Sequence, residues 1–143
     1  MAIKFYRLKD LGGFMSNFWR ARMFIYGHWW NFVEAPYQSA KTNLLSEKEA
    51  IRLTGDPMEA RLIGQKVQLV SQWDHIKREV MKECCLAKFL QHPDLRIQLM
   101  KTGSEELIEE SPTDYFWGCG EDGTGQNVLG QVLMEVREHL QGE

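Results

Sequence analysis

Ser71-Gln72-Trp73-Asp74-His75-Ile76-Lys77-Arg78-Glu79-Val80-Met81-Lys82-Glu83-Cys84-Cys85-Leu86-Ala87 is the longest periodic run in the chain. Trp73, Ile76, Val80, Cys84 and Ala87 recur every three or four residues and share one helical face. Ser71 and Asp74 stand at the spacing of a capping box, and His92-Pro93-Asp94 breaks the pattern. The run therefore predicts a long helix packed along one stripe, with Met81 and Cys84 as core side chains.

The same punctuation continues on both sides. Upstream, Asp56 before Pro57 reads as an N-cap and first position, with Gly64 at the far end. Ser46-Glu47-Lys48-Glu49 is a capping box for a short helix that Gly55 closes. Pro36 suits a first helical turn that leaves Tyr37, Ala40 and Leu44 at helical spacing. Downstream, a helix over Asp94 to Lys101 ends at Thr102-Gly103, and a final one runs from Val128 to Leu140 with Val132, Leu133 and Val136 on its stripe. Only the opening third leans to strand: Ile3 to Leu8, Met23 to Tyr26 and Trp29 to Val33, with Gly27-His28 as a hairpin turn. Its crowded aromatics read as core filler, or as the wall of an aromatic pocket. Strands and helices do not alternate as a parallel sheet requires. The fold class expected is α+β, predominantly helical: a compact single domain over residues 1–143 with a small β element near the N-terminus.

Composition narrows the function. Seventeen Lys and Arg against twenty Asp and Glu give a net charge of −3 in 143 residues, which excludes a basic nucleic-acid-coating protein. With 43% hydrophobic and 26% charged residues the chain has an ordinary globular composition. It contains no apolar run long enough to span a membrane, and Lys4 and Arg7 fall where a signal peptide needs apolar residues, so a cytoplasmic location is expected. The three cysteines, two of them adjacent at Cys84 and Cys85, are not a disulfide framework. His28, His75, His92 and His139 lack zinc spacing, and neither a metal nor another cofactor is expected.

Three segments carry polar residues where packing does not ask for them. Ser16-Asn17-Phe18 sits inside an aromatic stretch, where it forms either a plain turn or a binding loop. Glu34, Gln38 and Lys41 share a helical face directly after the apolar run Trp29 to Val33. A carboxylate carried inward there needs a perturbed ionisation or a dedicated partner, as catalytic groups do. The third segment, Ser111 to Asn127, is rich in glycine and opens into the last helix. Gly118, Gly120 and Gly123 spell GxGxxG, yet no clear strand precedes them in a βαβ unit. What remains is either an anion-binding approach to a helix N-terminus or a flexible loop with Asn127 as N-cap.

Taken in order, Ser16-Asn17-Phe18, Val33-Glu34 with Tyr37-Gln38 and Lys41, Pro57 with Ala60 and Gly64, Trp73 with Met81 and Lys88-Phe89, Asp114 with Trp117-Gly118 and Gly120, and Gly125-Gln126-Asn127-Val128-Leu129-Gly130 with Leu133-Met134 and Arg137 resemble the NADAR (YbiA-like) superfamily over nearly the whole chain. At Ala35-Pro36 the chain departs from the family, many of whose members have His after the Glu. The resemblance implies an N-glycosidase that cleaves the N-glycosidic bond of a phosphoribosyl- or ADP-ribosyl-linked base or amine. Such substrates include intermediates of riboflavin synthesis and ADP-ribosylated nucleic acid. It implies catalytic roles for Glu34, Asp114 and Lys41. Substrate binding then falls to Ser16, Asn17, Phe18, Gln38, Trp117, Gly118, Gly120 and Asn127. Cleavage of a ribosyl C–N bond passes through an oxocarbenium-like state, which suits paired carboxylates, here Glu34 and Asp114. The alternative is a module of the same fold that binds ADP-ribose or a nucleotide without turnover.

Overall fold

The computed structural model describes residues 1–142 and has α+β architecture, with six α-helices and two small sheets among the described residues. The chain forms two compact units, one built from residues 1–19 with 92–143 and the other from residues 20–91.

In the first unit, β1 (Ala2–Phe5) pairs in parallel with a strand at Glu106–Glu109. β1 is shorter than its apolar run because the Asp10 carboxylate accepts from the amides of Tyr6 and Arg7, at 3.1 and 2.8 Å, and turns the chain. A 3-10 turn at Gly13–Met15 follows. The remaining elements are α-helices at Pro93–Lys101 and Val128–Gln141, and the latter packs on the Glu106–Glu109 strand. Phe5, Leu99, Leu107, Val132, Leu133 and Val136 are fully buried in its core.

The second unit opens with the antiparallel hairpin of β2 (Met23–Ile25) and β3 (His28–Trp30). Its turn is Tyr26-Gly27, one residue earlier than the expected Gly27-His28, and His28 is instead paired with Ile25. Both turn residues have positive φ, 53° and 79°, as the tight turn that matches strand twist requires. Tyr26 tolerates this conformation while its hydroxyl donates to Glu83 Oε1 at 2.6 Å. The expected strand over Trp29 to Val33 stops at Trp30, because Phe32 and Val33 supply the first carbonyls of α1 (Glu34–Ser39).

Three helices complete this unit: α2 (Leu45–Leu53), α3 (Pro57–Gly64) and α4 (Trp73–Gln91). α3 follows the sequence closely, with Asp56 accepting from the Met58 amide at 3.0 Å. α2 begins ahead of the expected cap at Ser46. Thr42, fully buried, accepts from the Leu44 amide at 3.1 Å and donates to Glu47 at 2.5 Å, so threonine organises the entry that serine was expected to hold. α4 likewise starts after Gln72, at φ 66°, which leaves Ser71 outside the capping position. Its buried face is broader than the predicted stripe. Met81, Cys85, Lys88 and Phe89 are inside, while Ile76 is 40% exposed. The helix at Pro93–Lys101 is hereafter α5 and that at Val128–Gln141 α6; the strand at Glu106–Glu109 is β4.

β4 has no counterpart in the sequence reading. Its four residues Glu106-Leu107-Ile108-Glu109 hold an alternation too short to mark a strand, and its only ladder partner, β1, lies about a hundred positions away. A strand therefore does precede the glycine-rich segment, contrary to expectation, and residues 110–127 connect it to α6.

Candidate functional site

Glu34 opens α1 and is 3% exposed. The apolar run before it drives this burial: Phe32 and Val33 are fully buried, and the backbone carries the next side chain inward with them. Both carboxylate oxygens have partners. Gln38 Nε2, one turn along the same helix, donates to Oε2 at 2.5 Å, and Arg61 Nη2 of α3 lies 3.5 Å from Oε1. The dedicated partner expected for an inward carboxylate is thus present, and one half of it, Arg61, was not singled out in the sequence. Its signal was only its place on a helix whose other landmarks, Pro57 and Gly64, were recognised.

Gly64 explains how Gln38 fits. A Cβ at position 64 would overlap the Gln38 carboxamide, so only glycine lets α3 approach α1 this closely. Gln38 is 4% exposed, and its Oε1 has no hydrogen-bond partner among the described residues. Lys41 lies two residues beyond the end of α1, half-buried, with Nζ 5.7 Å from the centroid of the Tyr37 ring. Tyr37 in turn meets Trp73 of α4, with ring centroids 5.4 Å apart. Burial lowers the Lys41 pKa from its ordinary value, the Glu34 charge opposes that shift, and the nearby Lys77 and Arg61 charges add to it. One buried carboxylate thus has the Arg61 and Lys41 charges near it, while Lys77, close to Lys41, pairs with Asp74 at 3.1 Å; two cations against one buried anion favour an anionic ligand. The Ala35-Pro36 departure leaves this arrangement intact: Ala35 is buried, and Pro36 occupies the first turn, where an amide has no intrahelical acceptor.

The other expected residues lie in the first unit. Asp114 is half-buried, and its Oδ1 accepts from the amides of Phe116 and Trp117 at 3.0 and 2.8 Å, which folds the loop back on itself. Trp117 is half-buried with its ring edge-on to Phe116 at 4.8 Å. Gly118 has Asp114 O 3.0 Å from where a Cβ would sit, and Gly120, at φ 73°, lies against the Tyr115 ring. These glycines serve close packing. The amides expected to receive phosphate are engaged by loop carbonyls: Cys119 donates to Glu109, Gly120 to Ser111, Gly125 to Cys119 and Asn127 to Gly118. Even the first two amides of α6, those of Val128 and Leu129, donate to Phe116 and Trp117 at 2.9 and 3.0 Å, so the helix N-terminus is filled by its own loop. Asn127, at φ 52°, makes no side-chain cap. Its amide side chain instead bridges β4, accepting from Glu109 N–H and donating to Leu107 O, both at 2.9 Å. Ser16 Oγ accepts from the Phe18 amide at 3.1 Å, and Asn17 between them is buried.

Among the described residues no group of three or more His, Cys, Asp or Glu side chains is placed to hold a metal ion. No helix of the described residues is long and apolar enough to cross a membrane.

An α+β frame that buries one paired carboxylate beside cationic side chains has the geometry of a candidate acid–base site. The NADAR domain model matches residues 4–141, and the chain belongs to that family. It is 42% identical to an N-glycosidase of Nostoc punctiforme, over 98% of this chain and 93% of the relative. It is 38% identical to the N-glycosidase YbiA of Escherichia coli, over 96% and 88%. The NMR structure of E. coli YbiA superposes with a TM-score of 0.90 at 36% identity, covering 98% of this chain and 84% of that one. A riboflavin biosynthesis protein of Vibrio vulnificus is 38% identical over 97% of this chain and 38% of its own length. The near-full-length relatives are N-glycosidases, and this chain shares that enzymatic class.

Proposed function

We propose that the protein hydrolyses the N-glycosidic bond of a small phosphoribosyl- or ADP-ribosyl-linked base or amine, with Glu34 as its acid–base carboxylate. The observation that carries this reading is the burial of Glu34 with Gln38 on one oxygen and Arg61 near the other. In the reaction, a water oxygen attacks the anomeric carbon as the C–N bond breaks. The bonding pair leaves with the nitrogen; Glu34 takes one proton from the water and passes it to the departing nitrogen, which releases the free base or amine and regenerates the carboxylate. Its negative charge also stabilises the oxocarbenium-like state.

Lys41 and Arg61 supply the positive field for the phosphate, because the amides of Cys119, Gly120, Gly125 and Asn127 are already engaged. Asp114 acts as a positioning residue, since its Oδ1 already accepts from two amides of its own loop. Substrate-binding roles for Trp117, Ser16, Asn17 and Phe18 rest on the family resemblance, an aromatic such as Trp117 being suited to stacking on a base. The resemblance to a riboflavin biosynthesis protein favours a small metabolite as substrate. With a net charge of −3, the protein would hold an ADP-ribosylated nucleic acid only around its modified nucleotide.

The test is release of free base from a panel of N-ribosides, read by mass spectrometry, for the wild type and Glu34→Gln. The variant keeps its melting temperature and loses turnover by ~10²–10⁴, the span for removal of a general base. Normal turnover in Glu34→Gln would show the assignment to be wrong.

A further inference from the structure

The hairpin β2–β3, the end of α1, and helices α2 and α4 enclose a cavity of about 440 Å³ that Glu34, Gln38 and Lys41 do not line. Its size is that of a site for a small organic molecule. Ala40, Leu45, Ile76 and Val80 give it apolar walls, and the Tyr26 and His28 rings stand at its border. Leu45 is 78% exposed and Ile76 40%, so two large aliphatic side chains are left in water beside the opening. This accounts for Ile76, the member of the α4 stripe that the protein core does not cover.

The charged side chains around the cavity nearly all have a side-chain hydrogen-bond partner. Glu83 accepts from the Tyr26 hydroxyl at 2.6 Å, and Arg52 grips Glu49 through two bonds of 3.0 and 2.7 Å. Lys48 is the exception. Its half-buried ammonium donates to a backbone carbonyl, Ser39 O, at 2.9 Å, and among the described residues no carboxylate pairs with it. Burial lowers its pKa from the ordinary value. An ammonium desolvated in an apolar wall without a counter-charge is destabilising until an anion joins it.

We propose that this cavity is a second binding site, for a small aromatic carboxylate, with the ring against Ala40, Leu45, Ile76 and Val80 and the carboxylate on Lys48. An aliphatic wall bordered by aromatic rings fits a flat apolar body, and the single unmatched cation fits one acidic group. The inference does not depend on the reaction assigned to Glu34.

The probe is 2-naphthoate, compared with its neutral counterpart naphthalene-2-methanol by isothermal titration. In the wild type the acid should bind one-to-one and about tenfold tighter than the alcohol, the ratio set by one partly buried ion pair. Lys48→Met should erase that preference, and Ile76→Trp, which fills the cavity, should abolish binding of both. Should Lys48→Met fail to fold, Lys48→Gln gives the same reading. Glu34→Gln should leave both affinities unchanged. The proposal is overturned by no binding of naphthoate at millimolar concentration, by a preference for the acid that persists without Lys48, or by loss of binding in Glu34→Gln, which would put the probe in the Glu34 site.

Discussion

Arg61 Nη2 stands 3.5 Å from Glu34 Oε1, while Gln38 Nε2 holds Oε2 at 2.5 Å, so a carboxylate that is 3% exposed is gripped from two helices at once. A buried charge held this way has one orientation, which is what a group that must meet a reacting atom within a few tenths of an ångström requires. The same relationship makes the site sensitive to residues that never touch the carboxylate.

Gly64 is such a residue. Gly64→Ala places a methyl group into the Gln38 carboxamide and displaces the hydrogen bond to Glu34. Alanine is the better helix former by about 1 kcal/mol, which offsets part of the crowding. The expected outcome is a melting temperature close to wild type with turnover reduced ~10–100-fold. Turnover equal to wild type in a folded Gly64→Ala protein would mean that Gln38 does not orient Glu34.

Asp114 separates a positioning role from a chemical one. Asparagine retains the Oδ1 acceptor for the Phe116 and Trp117 amides, whereas alanine removes it at a cost of roughly 1–3 kcal/mol. Asp114→Asn should therefore keep both stability and most activity, and Asp114→Ala should lose both together. An Asp114→Asn protein that melts normally but has no turnover would make Asp114 a catalytic carboxylate.

Turnover should survive exhaustive chelation. The Glu34 carboxylate is already engaged by Gln38 and Arg61, and the Lys41 and Lys77 charges nearby oppose a divalent cation. Dialysis against EDTA followed by the base-release assay checks this, and activity lost there and restored by added metal would contradict it.

Lys88 predicts a pH dependence of stability. It is fully buried, and desolvation lowers its pKa from 10.5 to about 8, against the opposing effect of Cys85. Between these two values the unfolded chain binds more protons than the folded one, so this residue's contribution to stability rises as pH increases from about 8 toward 10.5. Below that window the buried charge is destabilising. Burial raises the pKa values of Tyr26, Cys84 and Cys85, which acts in the opposite sense, so the comparison is with Lys88→Met under identical conditions. Urea unfolding at about pH 7.5 and about pH 10, which span most of that window, should show wild type gaining on the variant by about 1–3 kcal/mol. A constant difference would show that Lys88 does not titrate in that range.

The sequence by itself determined the helices with strong local signals. Asp56 and Pro57 start α3, the stripe from Val128 marks α6, and the apolar run before Glu34 carries that carboxylate inward, because caps and periodicity act within a few residues. It also placed Glu34 and Gln38 on one face, since a helix sets side-chain direction by spacing alone, whereas Lys41 falls beyond the end of α1. Tertiary structure decided what depends on distant partners. β4 exists because β1 pairs with it, and the phosphate-like loop at Gly118 to Gly125 folds onto its own carbonyls, which no local pattern reveals. Arg61 joins Glu34 only because Gly64 lets α3 lie against α1, and Lys48 donates to a backbone carbonyl while Glu49 pairs with Arg52 and Glu83 accepts from Tyr26. Short-range preferences build elements, but the partner of a buried charge is fixed only when those elements pack.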